Sequence, residues 1–366
     1  MRKKTITISL IVLAVVFGIL FCVVQNQNRK NDNSKGTVTI GAILPLTGDA
    51  ASYGTSLKRG LDIAFSGYDV RLYCEDSKGD PKTAVNAVNK LINVDKVELL
   101  IGDMFTNTTM AIIPIASKNN ILLLTPTASS SEVSEKGKTA FRLYPSEAEE
   151  GEELYSFSNK LFPDKKGSII VVNENAMLKV AKVINKNNNK QIIEYSKGLV
   201  DFTPIIQKID KNTEVVFLIG YFEENVRLIK QSIEMKKEFS FIGLSTLYTP
   251  QLSSTLGIID VPIFISAPKS SLDTTNSHTA DYIQKYRLKY KDNPDIWSGY
   301  GYDAGNIVLK IVKDSKENGT SYIDEMYNIV GYEGVTGTTT INKDRSINKT
   351  MDMVEYNDGK FNEIKY

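Results

Sequence analysis

The feature that most constrains the fold is a regular alternation of apolar runs and helical segments, which starts at Thr37. Residues 38–46 form a nearly continuous apolar run, and residues 57–65 follow with helical spacing. Asp80 then precedes Pro81, the pattern of a helix cap with proline at the first helical position. Strands that alternate with helices form parallel sheets covered on both faces. The other predicted segments of this first set are strands at 70–73, 97–101, 121–124 and 141–144, and a helix over 108–118.

A second set of the same kind follows the first. Its strands are predicted at residues 168–172, 191–195, 215–219 and 239–242. Each set covers about 110–120 residues, which fits two doubly wound α/β lobes better than one very wide sheet. Beyond the second set, residues 280–290 and 304–312 have helical spacing and residues 335–366 favour strands, with Asp358-Gly359 as a hairpin signal.

The N-terminal segment predicts where the protein works. A basic head at residues 1–4 precedes an uncharged stretch at residues 5–24, which as a helix is about 30 Å long and matches the thickness of a bilayer core. Basic residues on the N-terminal side place that end in the cytoplasm. We therefore predict that residues 1–24 are a signal or membrane anchor, that residues 25–36 are a flexible polar tether, and that the body lies on the extracytoplasmic side of the cell membrane.

Three fates remain open for this segment. It can stay as an uncleaved anchor, since it is longer than the usual apolar core of a signal peptide. The run from Ile19 to Cys22 has the outline of a lipoprotein box in which Cys22 would be lipidated, although Phe21 occupies a position that favours a small residue. The third possibility is a cleaved secretory signal. All three export the body.

Charge and composition exclude several classes of function. The chain of 366 residues has a formal net charge of +1, but its first 36 residues hold six basic groups and one acid, so the body carries about −4. A mildly acidic body argues against nucleic acid as a partner. One His and two Cys cannot form the usual zinc sites. This leaves mainly carboxylate or hydroxyl chemistry. We predict no catalytic residues, no metal site and no cofactor, and, with Cys74 alone in the body, no internal disulfide.

Hydroxyl-bearing side chains gather where the predicted strands end. In open α/β sheets ligands bind beyond the carboxyl ends of the strands, and hydroxyls beside helix N-termini suit a small carboxylate. Helix capping by Ser and Thr is the alternative explanation for any single position. The junctions in question are Thr47 to Gly54, Thr106 to Thr109, Thr125 to Ser131, Tyr221, and Ser245 with Thr246.

Other motifs predict no function. Gly299, Gly301 and Gly305 only approximate a dinucleotide loop and follow no clear strand. Residues 342–346 begin like a calcium loop but lack its glycine, so we predict a turn. His278 is expected at a helix start, on the surface or as a cap. The acidic run of Glu147, Glu149, Glu150, Glu152 and Glu153 is expected to be a solvated first helical turn.

Several short motifs resemble those of a known family. The segment from Ile40 to Gly48 resembles the opening of the type I periplasmic solute-binding proteins, in particular the branch that binds leucine, isoleucine and valine. The resemblance covers nearly all of Thr37 to Tyr366. The further matches, in the expected order, are Tyr53-Gly54, Asp80-Pro81, Ile101-Gly102, Leu124 to Ala128, Phe141-Arg142, Tyr302 to Ala304 and Gly334 to Gly337.

The resemblance implies a fold and its domains. It implies two Rossmann-like lobes that are joined by three crossovers and close by a hinge on a ligand. Lobe one would consist of residues 37–147 and 272–352, and lobe two of residues 148–271 and 353–366.

The resemblance also implies the roles of six residues. Thr106, Ala128 and Ser129 would hold a ligand carboxylate. The carbonyl of Thr127 and the hydroxyl of Ser129 would face an ammonium group. Tyr53 would line the side-chain pocket, and Tyr221 would close from lobe two.

Two positions depart from the family pattern. Ser245 stands where relatives place an acid that pairs with the ammonium, and residues 173–176 replace an expected tyrosine. Because an unpaired buried ammonium is costly, either Glu223 or Glu224 takes the role of that acid or the ligand is not an α-amino acid.

The sequence thus predicts an extracytoplasmic binding protein of an ABC importer, with a small polar solute and a permease as its partners. The solute is expected to be an amino acid or a related small carboxylate or amide. The alternatives are a sensory ligand-binding domain that acts on a separate signalling partner, and an exported hydrolase that uses carboxylates. Binding without turnover would distinguish the first two from the third.

Overall fold

The first sheet has five strands in the order β2-β1-β3-β4-β5, and β1, β3, β4 and β5 pair in parallel. The computed structural model describes residues 37–48, 50–268, 277–349, 351–364 and 366. Strands β1, β3 and β4 are apolar and buried because helices lie over the sheet, whereas the edge strand β2 is only partly buried. The strands are β1 (Val38–Leu44), β2 (Val70–Asp76), β3 (Leu99–Gly102), β4 (Leu122–Thr125) and β5 (Ala140–Arg142), and the helices are α1 (Ala51–Ala64), α2 (Pro81–Asn93), α3 (Thr106–Lys118) and α4 (Glu132–Lys136).

The second sheet has seven strands in the order β15-β14-β10-β9-β8-β6-β7. Strands β6 to β10 pair in parallel, whereas β14 runs antiparallel to β10 and forms a hairpin with β15. The strands are β6 (Gly167–Val172), β7 (Gln191–Tyr195), β8 (Val215–Ile219), β9 (Ser240–Gly243), β10 (Ile263–Pro268), β14 (Met351–Asn357) and β15 (Lys360–Glu363), and the helices are α5 (Glu147–Leu161), α6 (Asn175–Ile184), α7 (Thr203–Lys208), α8 (Phe222–Glu234) and α9 (Pro250–Leu256).

Between β10 and β14 the chain adds three helices and a small antiparallel sheet. Residues 342–346, the predicted turn, connect two strands of this sheet. Ser134 of α4 bonds to Arg345 in that turn, which attaches the small sheet to a helix beside the first sheet. The elements are α10 (Ser277–Tyr290), α11 (Ile296–Asn318), α12 (Tyr322–Met326), β11 (Tyr332–Gly334), β12 (Gly337–Ile341) and β13 (Ile347–Lys349).

Gly299, Gly301 and Gly305, which only approximate a dinucleotide loop, lie inside α11, and Gly301 lies at its contact with α1. Helix α11 packs closely against α1. A Cβ on Gly301 would lie 2.1 Å from the carbonyl oxygen of Leu57, and one on Gly60 would lie 1.9 Å from that of Ser298. Only glycine permits two helix backbones to approach so closely.

The described residues do not include the predicted N-terminal features. Residues 1–24, the tether at 25–36 and Cys22 lie outside them, so the anchor remains a prediction. None of the helices in the described ranges combines the length and the apolar character that a bilayer span requires. Residues Thr39–Tyr366 form one compact unit.

Two buried charged side chains, Asp303 and Lys349, link α11 to the small sheet. Asp303 accepts the backbone N–H of Val335 at 2.9 Å and that of Thr336 at 2.8 Å. The ammonium of Lys349 donates to Thr339 at 2.9 Å and lies 5.0 Å from the ring centre of Tyr300. Burial lowers the pKa of Lys349 to about 8, against the opposing effect of Asp303.

Lys349 therefore makes stability depend on pH. Its pKa is about 8 when folded and 10.5 when unfolded, so the unfolded chain binds more protons between these values and stability rises with pH. From pH 7 to pH 9.5 we expect the free energy of unfolding to gain about 2 kcal/mol from this group. Urea denaturation at a series of pH values measures it. In Lys349→Met this rise in the free energy of unfolding with pH should disappear, whereas in Lys360→Met, a substitution at an exposed position, it should remain. If the free energy of unfolding of Lys349→Met rose with pH as in the wild type, Lys349 would not be its source.

Candidate functional site

Elements at the carboxyl ends of the parallel strands of the two sheets lie close together, and the region between them is the cleft. The ammonium of Lys179, in α6 beside the second sheet, lies 4.0 Å from the carboxylate of Glu132, in α4 beside the first. Tyr53 of α1 is close enough to Glu223 and Glu224 of α8 for their charges to raise its pKa. The cleft is where a doubly wound fold places a ligand.

The wall on the side of the first sheet is made of hydroxyls and loop amides. Thr106 begins α3, and its oxygen accepts the N–H of Ser130 at 3.4 Å. In the described part of the chain no acceptor takes the Thr106 hydroxyl proton, nor does any group bond to the half-buried hydroxyl of Ser129. Both hydroxyls can therefore donate to an anionic oxygen in the cleft.

Thr127 and Ala128, to which the resemblance gives roles in ligand binding, already form hydrogen bonds within the protein. The hydroxyl of Thr127 donates to the carbonyl of Met104 at 3.0 Å. The N–H of Ala128 donates to the hydroxyl oxygen of Thr125 at 3.2 Å. These bonds fix the shape of the loop that carries Ser129, and they leave the Ala128 amide already paired.

The buried carboxylate of Asp103 lies behind this wall. Its Oδ1 accepts the N–H of Met104, and its Oδ2 has no partner among the described residues. Burial raises the pKa of the Asp103 carboxyl, against hydrogen bonds that lower it. The carbonyl of Asp103 accepts the hydroxyls of Thr109 at 3.0 Å and Thr125 at 2.6 Å, so it joins the first turns of α3 to the end of β4.

Aromatic rings line the same side of the cleft. Tyr53, in the first turn of α1, packs edge-on against Trp297 with ring centres 5.5 Å apart. Trp297 lies in the first turn of α11 and its buried Nε1 has no partner among the described residues. Burial raises the pKa of Tyr53 to about 12, with added effects from Glu223, Glu224 and Asp295.

Tyr221 lies on the opposite side, at the N-cap of α8. Its hydroxyl donates to Glu174 at 2.5 Å. Lys197 pairs with Glu174 at 3.4 Å and lies 4.3 Å from the ring centre of Tyr221. Burial and then Glu174 raise the pKa of Tyr221, so its hydroxyl stays protonated.

Ser245 is fully buried beneath the cleft. Its hydroxyl bonds to the hydroxyl of Tyr144, a residue between β5 and α5. Its N–H donates at 2.9 Å to Glu150, which also accepts the hydroxyl of Ser266 at 2.5 Å. A carboxylate therefore lies beside Ser245, but it comes from α5 and is occupied by protein donors.

The prediction that the whole acidic run is solvated was wrong for Glu150. Glu149 forms the capping box with Ser146, and the side chain of Glu152 is 55% exposed, whereas Glu150 is only 5% exposed. Burial raises the pKa of Glu150 against the hydrogen bonds that it accepts. The cause is helix geometry: position 150 faces the second sheet, where Ser245 and Ser266 supply donors.

The described residues contain no group of three or more His, Cys, Asp or Glu side chains arranged to hold a metal ion. One wall of the cleft offers hydrogen-bond donors together with the rings of Tyr53 and Trp297, and the other offers carboxylates together with the ring of Tyr221. Such a site can bind and orient a small polar molecule.

Two parallel sheets with opposed carboxyl ends define the type I fold of periplasmic binding proteins. The sequence profile of the periplasmic binding protein family matches residues 37–360, and the chain belongs to this family. The family is one of solute-binding proteins rather than enzymes. Membership implies an extracytoplasmic location.

Individual relatives agree with this assignment. The chain is 24% identical over 344 residues to Leu/Ile/Val-binding protein homolog 3 of Brucella melitensis, covering 88% of this chain and 92% of the relative. It is 23% identical to the leucine-specific-binding protein of Salmonella typhimurium, covering 70% of this chain and 76% of the relative.

Solved structures share the fold. The leucine binding protein LivK of Thermotoga maritima has a TM-score of 0.80 and 19% identity, covering 90% of this chain and 98% of its own. The branched-chain amino acid binding protein LivJ of Streptococcus pneumoniae, in complex with isoleucine, has a TM-score of 0.81 and 20% identity. The match covers 89% of this chain and 97% of LivJ. A solute-binding protein of Rhodopseudomonas palustris in complex with 3,4-dihydroxybenzoic acid has a TM-score of 0.76 and 20% identity, covering 90% and 96%.

Proposed function

We propose that the protein captures a small polar solute between two lobes by hinge closure and delivers it to an ABC permease. Lobe one would comprise residues 37–147 and 272–352, and lobe two residues 148–271 and 353–366. The segment at residues 1–24 would hold the protein at the membrane, where a tether raises its effective concentration near the permease. Relatives named for amino acids support an amino acid or a related carboxylate or amide as the solute.

The observation that carries this proposal is the pair of unlike walls. Thr106 and Ser129 keep hydroxyl protons available on one side, and on the other the hydroxyl of Tyr221 is held by Glu174 beside Lys197. A solute that touches both walls binds the closed form more tightly than the open one. Ligand binding then shifts the population toward closure by that difference in affinity.

Isothermal titration calorimetry of the full-length protein against amino acids, amides and small carboxylates tests the proposal. We expect saturable binding at one solute per chain, with the solute recovered unchanged. Thr106→Ala should weaken binding at least tenfold, since a hydrogen bond to a charged oxygen contributes about 1.5–3 kcal/mol. Tyr221→Ala should also weaken it.

The matched control is Thr338→Ala, an exposed threonine of β12 outside the cleft, which should bind as the wild type does. If Thr106→Ala and Tyr221→Ala both retained wild-type affinity, the site would lie elsewhere. Turnover of the solute would favour the hydrolase alternative instead.

A further inference from the structure

Three polar side chains that contact one another lie at the carboxyl edge of the second sheet. Glu174 is the N-cap of α6 after β6, Lys197 follows β7 by two residues, and Tyr221 is the N-cap of α8 after β8. Because β7, β6 and β8 are neighbours in the sheet, these positions meet at one place. Glu174 accepts the hydroxyl of Tyr221 at 2.5 Å and pairs with Lys197 at 3.4 Å. We call these three residues the polar floor.

The polar floor is open and has hydrogen-bonding capacity to spare. The side chain of Glu174 is 35% exposed and that of Lys197 is 61% exposed. Within the described ranges, the only other contact of the Lys197 ammonium is with the ring of Tyr221, at 4.3 Å. An ammonium carries three protons and a carboxylate accepts several hydrogen bonds, so the polar floor offers a donor directly beside an acceptor.

The loop that carries Lys197 is fixed by α8. Four hydrogen bonds tie residues 198–202 to that helix. They join Glu224 to the N–H of Gly198 at 3.0 Å, Arg227 to the carbonyl of Leu199 at 3.5 Å, and Gln231 to the carbonyl of Val200 at 3.1 Å and the N–H of Phe202 at 2.6 Å. A loop that is ordered before binding loses little conformational freedom when a solute arrives.

The polar floor lies close to the hydroxyl wall of the first sheet. Lys179 belongs to the helix that Glu174 begins, and its ammonium lies 4.0 Å from the carboxylate of Glu132. Glu132 follows Ser129 by three residues. A solute whose carboxylate is held by Thr106 and Ser129 would therefore meet the polar floor with its other end.

The charges of this wall give no preference for a charged group at the polar floor. Glu174 and Lys197 neutralise each other. The remaining charged side chains are engaged elsewhere: Glu223 with Arg227 at 4.0 Å, Lys179 with Glu132, Glu224 with the N–H of Gly198, and Asp201 with the N–H of Thr203 at 2.9 Å. A neutral group that both donates and accepts hydrogen bonds matches such a surface.

A buried hydroxyl beside the polar floor adds to its polar character. Tyr195 is 4% exposed, and its hydroxyl has no partner among the described residues. It lies against Gly220, the residue before Tyr221, where a Cβ would be 2.0 Å from the hydroxyl oxygen. Buried polar groups of native proteins are normally paired. An apolar solute would leave this hydroxyl without a partner as well.

We propose that the end of the solute at the polar floor is a primary carboxamide, whose N–H binds Glu174 and whose carbonyl accepts from Lys197. This inference rests on the proposed function of the cleft as a solute site. A branched hydrocarbon group of the same shape takes water from both side chains and returns no hydrogen bond. A site built for hydrogen bonds rejects the analogue that lacks them, so leucine, isoleucine and valine are poor solutes.

Calorimetry of the full-length protein with pairs of equal shape tests this. The pairs are L-asparagine with L-leucine, L-glutamine with L-homoleucine, and succinamate with 4-methylpentanoate, and in each pair an amide replaces a branched hydrocarbon end. We expect the amide of the tightest-binding pair to bind at least tenfold more tightly than its partner. L-aspartate should bind at least tenfold more weakly than L-asparagine, because its second carboxylate meets that of Glu174.

The double variant Glu174→Leu/Lys197→Met makes the polar floor apolar in one step. Its affinity for the amide should fall at least tenfold, whereas its affinity for the hydrocarbon partner should stay the same or rise. The matched control is Glu152→Leu/Lys186→Met, which removes an exposed ion pair of 2.6 Å beyond the other end of α6. The control should bind every probe as the wild type does.

Equal losses for both members of a pair in Glu174→Leu/Lys197→Met would mean that the polar floor does not select the solute, and would overturn the inference. Tighter binding of a hydrocarbon member by the wild type, still weakened by Thr106→Ala, would overturn it while the proposed function stands. Binding of none of the amides would reject the inference, and failure of the whole panel of amino acids, amides and carboxylates would reject the proposed function with it.

Discussion

Gly301→Ala is expected to lower the free energy of unfolding by about 3 kcal/mol or more. The new Cβ would lie 2.1 Å from the carbonyl oxygen of Leu57 and 2.9 Å from its carbonyl carbon. These are backbone atoms of α1, which cannot move aside as a flexible side chain can. The two helices must separate, which opens the apolar contact between them, and overpacking of this kind costs about 1–3 kcal/mol or more. Urea denaturation followed by circular dichroism measures the loss.

Gly299→Ala is the matched control in the same helix. There a Cβ would meet the methyl group of Thr336 at 3.0 Å and that of Val335 at 3.6 Å, both on side chains. Alanine also has a helix propensity about 1 kcal/mol better than glycine, which offsets this crowding. We expect a change of less than about 1 kcal/mol. Equal effects of the two substitutions would contradict the close approach of α1 and α11.

Glu150→Leu is expected to destabilise the protein by about 3 kcal/mol or more. Leucine fills a similar volume but leaves the N–H of Ser245 and the hydroxyl of Ser266 without their acceptor. Each buried donor left unpaired costs about 1–3 kcal/mol. The hydroxyl of Tyr144, 3.5 Å from the same carboxylate, loses a neighbour as well. Thermal and urea unfolding of the variant give the difference.

Glu152→Leu serves as the comparison because it lies two residues further along α5 and pairs with Lys186 at 2.6 Å on the surface. Surface ion pairs contribute about 0–1 kcal/mol, so the free energy of unfolding of Glu152→Leu should fall by less than about 1 kcal/mol. Should both variants lose the same stability, the buried network at Ser245 would have no special role.

The fold could be predicted from the sequence where local signals and burial agree. Asp80 caps α2 as expected, with its carboxylate accepting the N–H of Thr83 at 2.8 Å. Apolar runs such as Val215–Ile219 became strands buried along their whole length, as parallel sheets require. The glycines of α11 were harder to interpret, because their purpose depends on α1, more than two hundred residues earlier in the chain.

The site could be predicted only in part for the same reason. Hydroxyls at strand ends indicated the wall at Thr106, since strand ends are local features. The burial of Glu150 was not predicted because it stands in a run of acidic residues, and its hydrogen-bond partners Ser245 and Ser266 are distant in the sequence. One signal could have distinguished it: Leu154 and Phe157 follow at the fourth and seventh positions, are buried, and mark the inner face of α5.

The arrangement of the second sheet affects how the chain can fold as it is synthesised. Strands β6 to β10 can pair as soon as residue 268 is made, but β14 joins the other side of β10 only after residue 351. Until then β10 presents an open edge of unpaired backbone groups, the kind of edge that templates aggregation. Loss of the last two strands would therefore expose this partly built sheet to other copies of the chain, so the solubility of folding intermediates depends on the C-terminal hairpin.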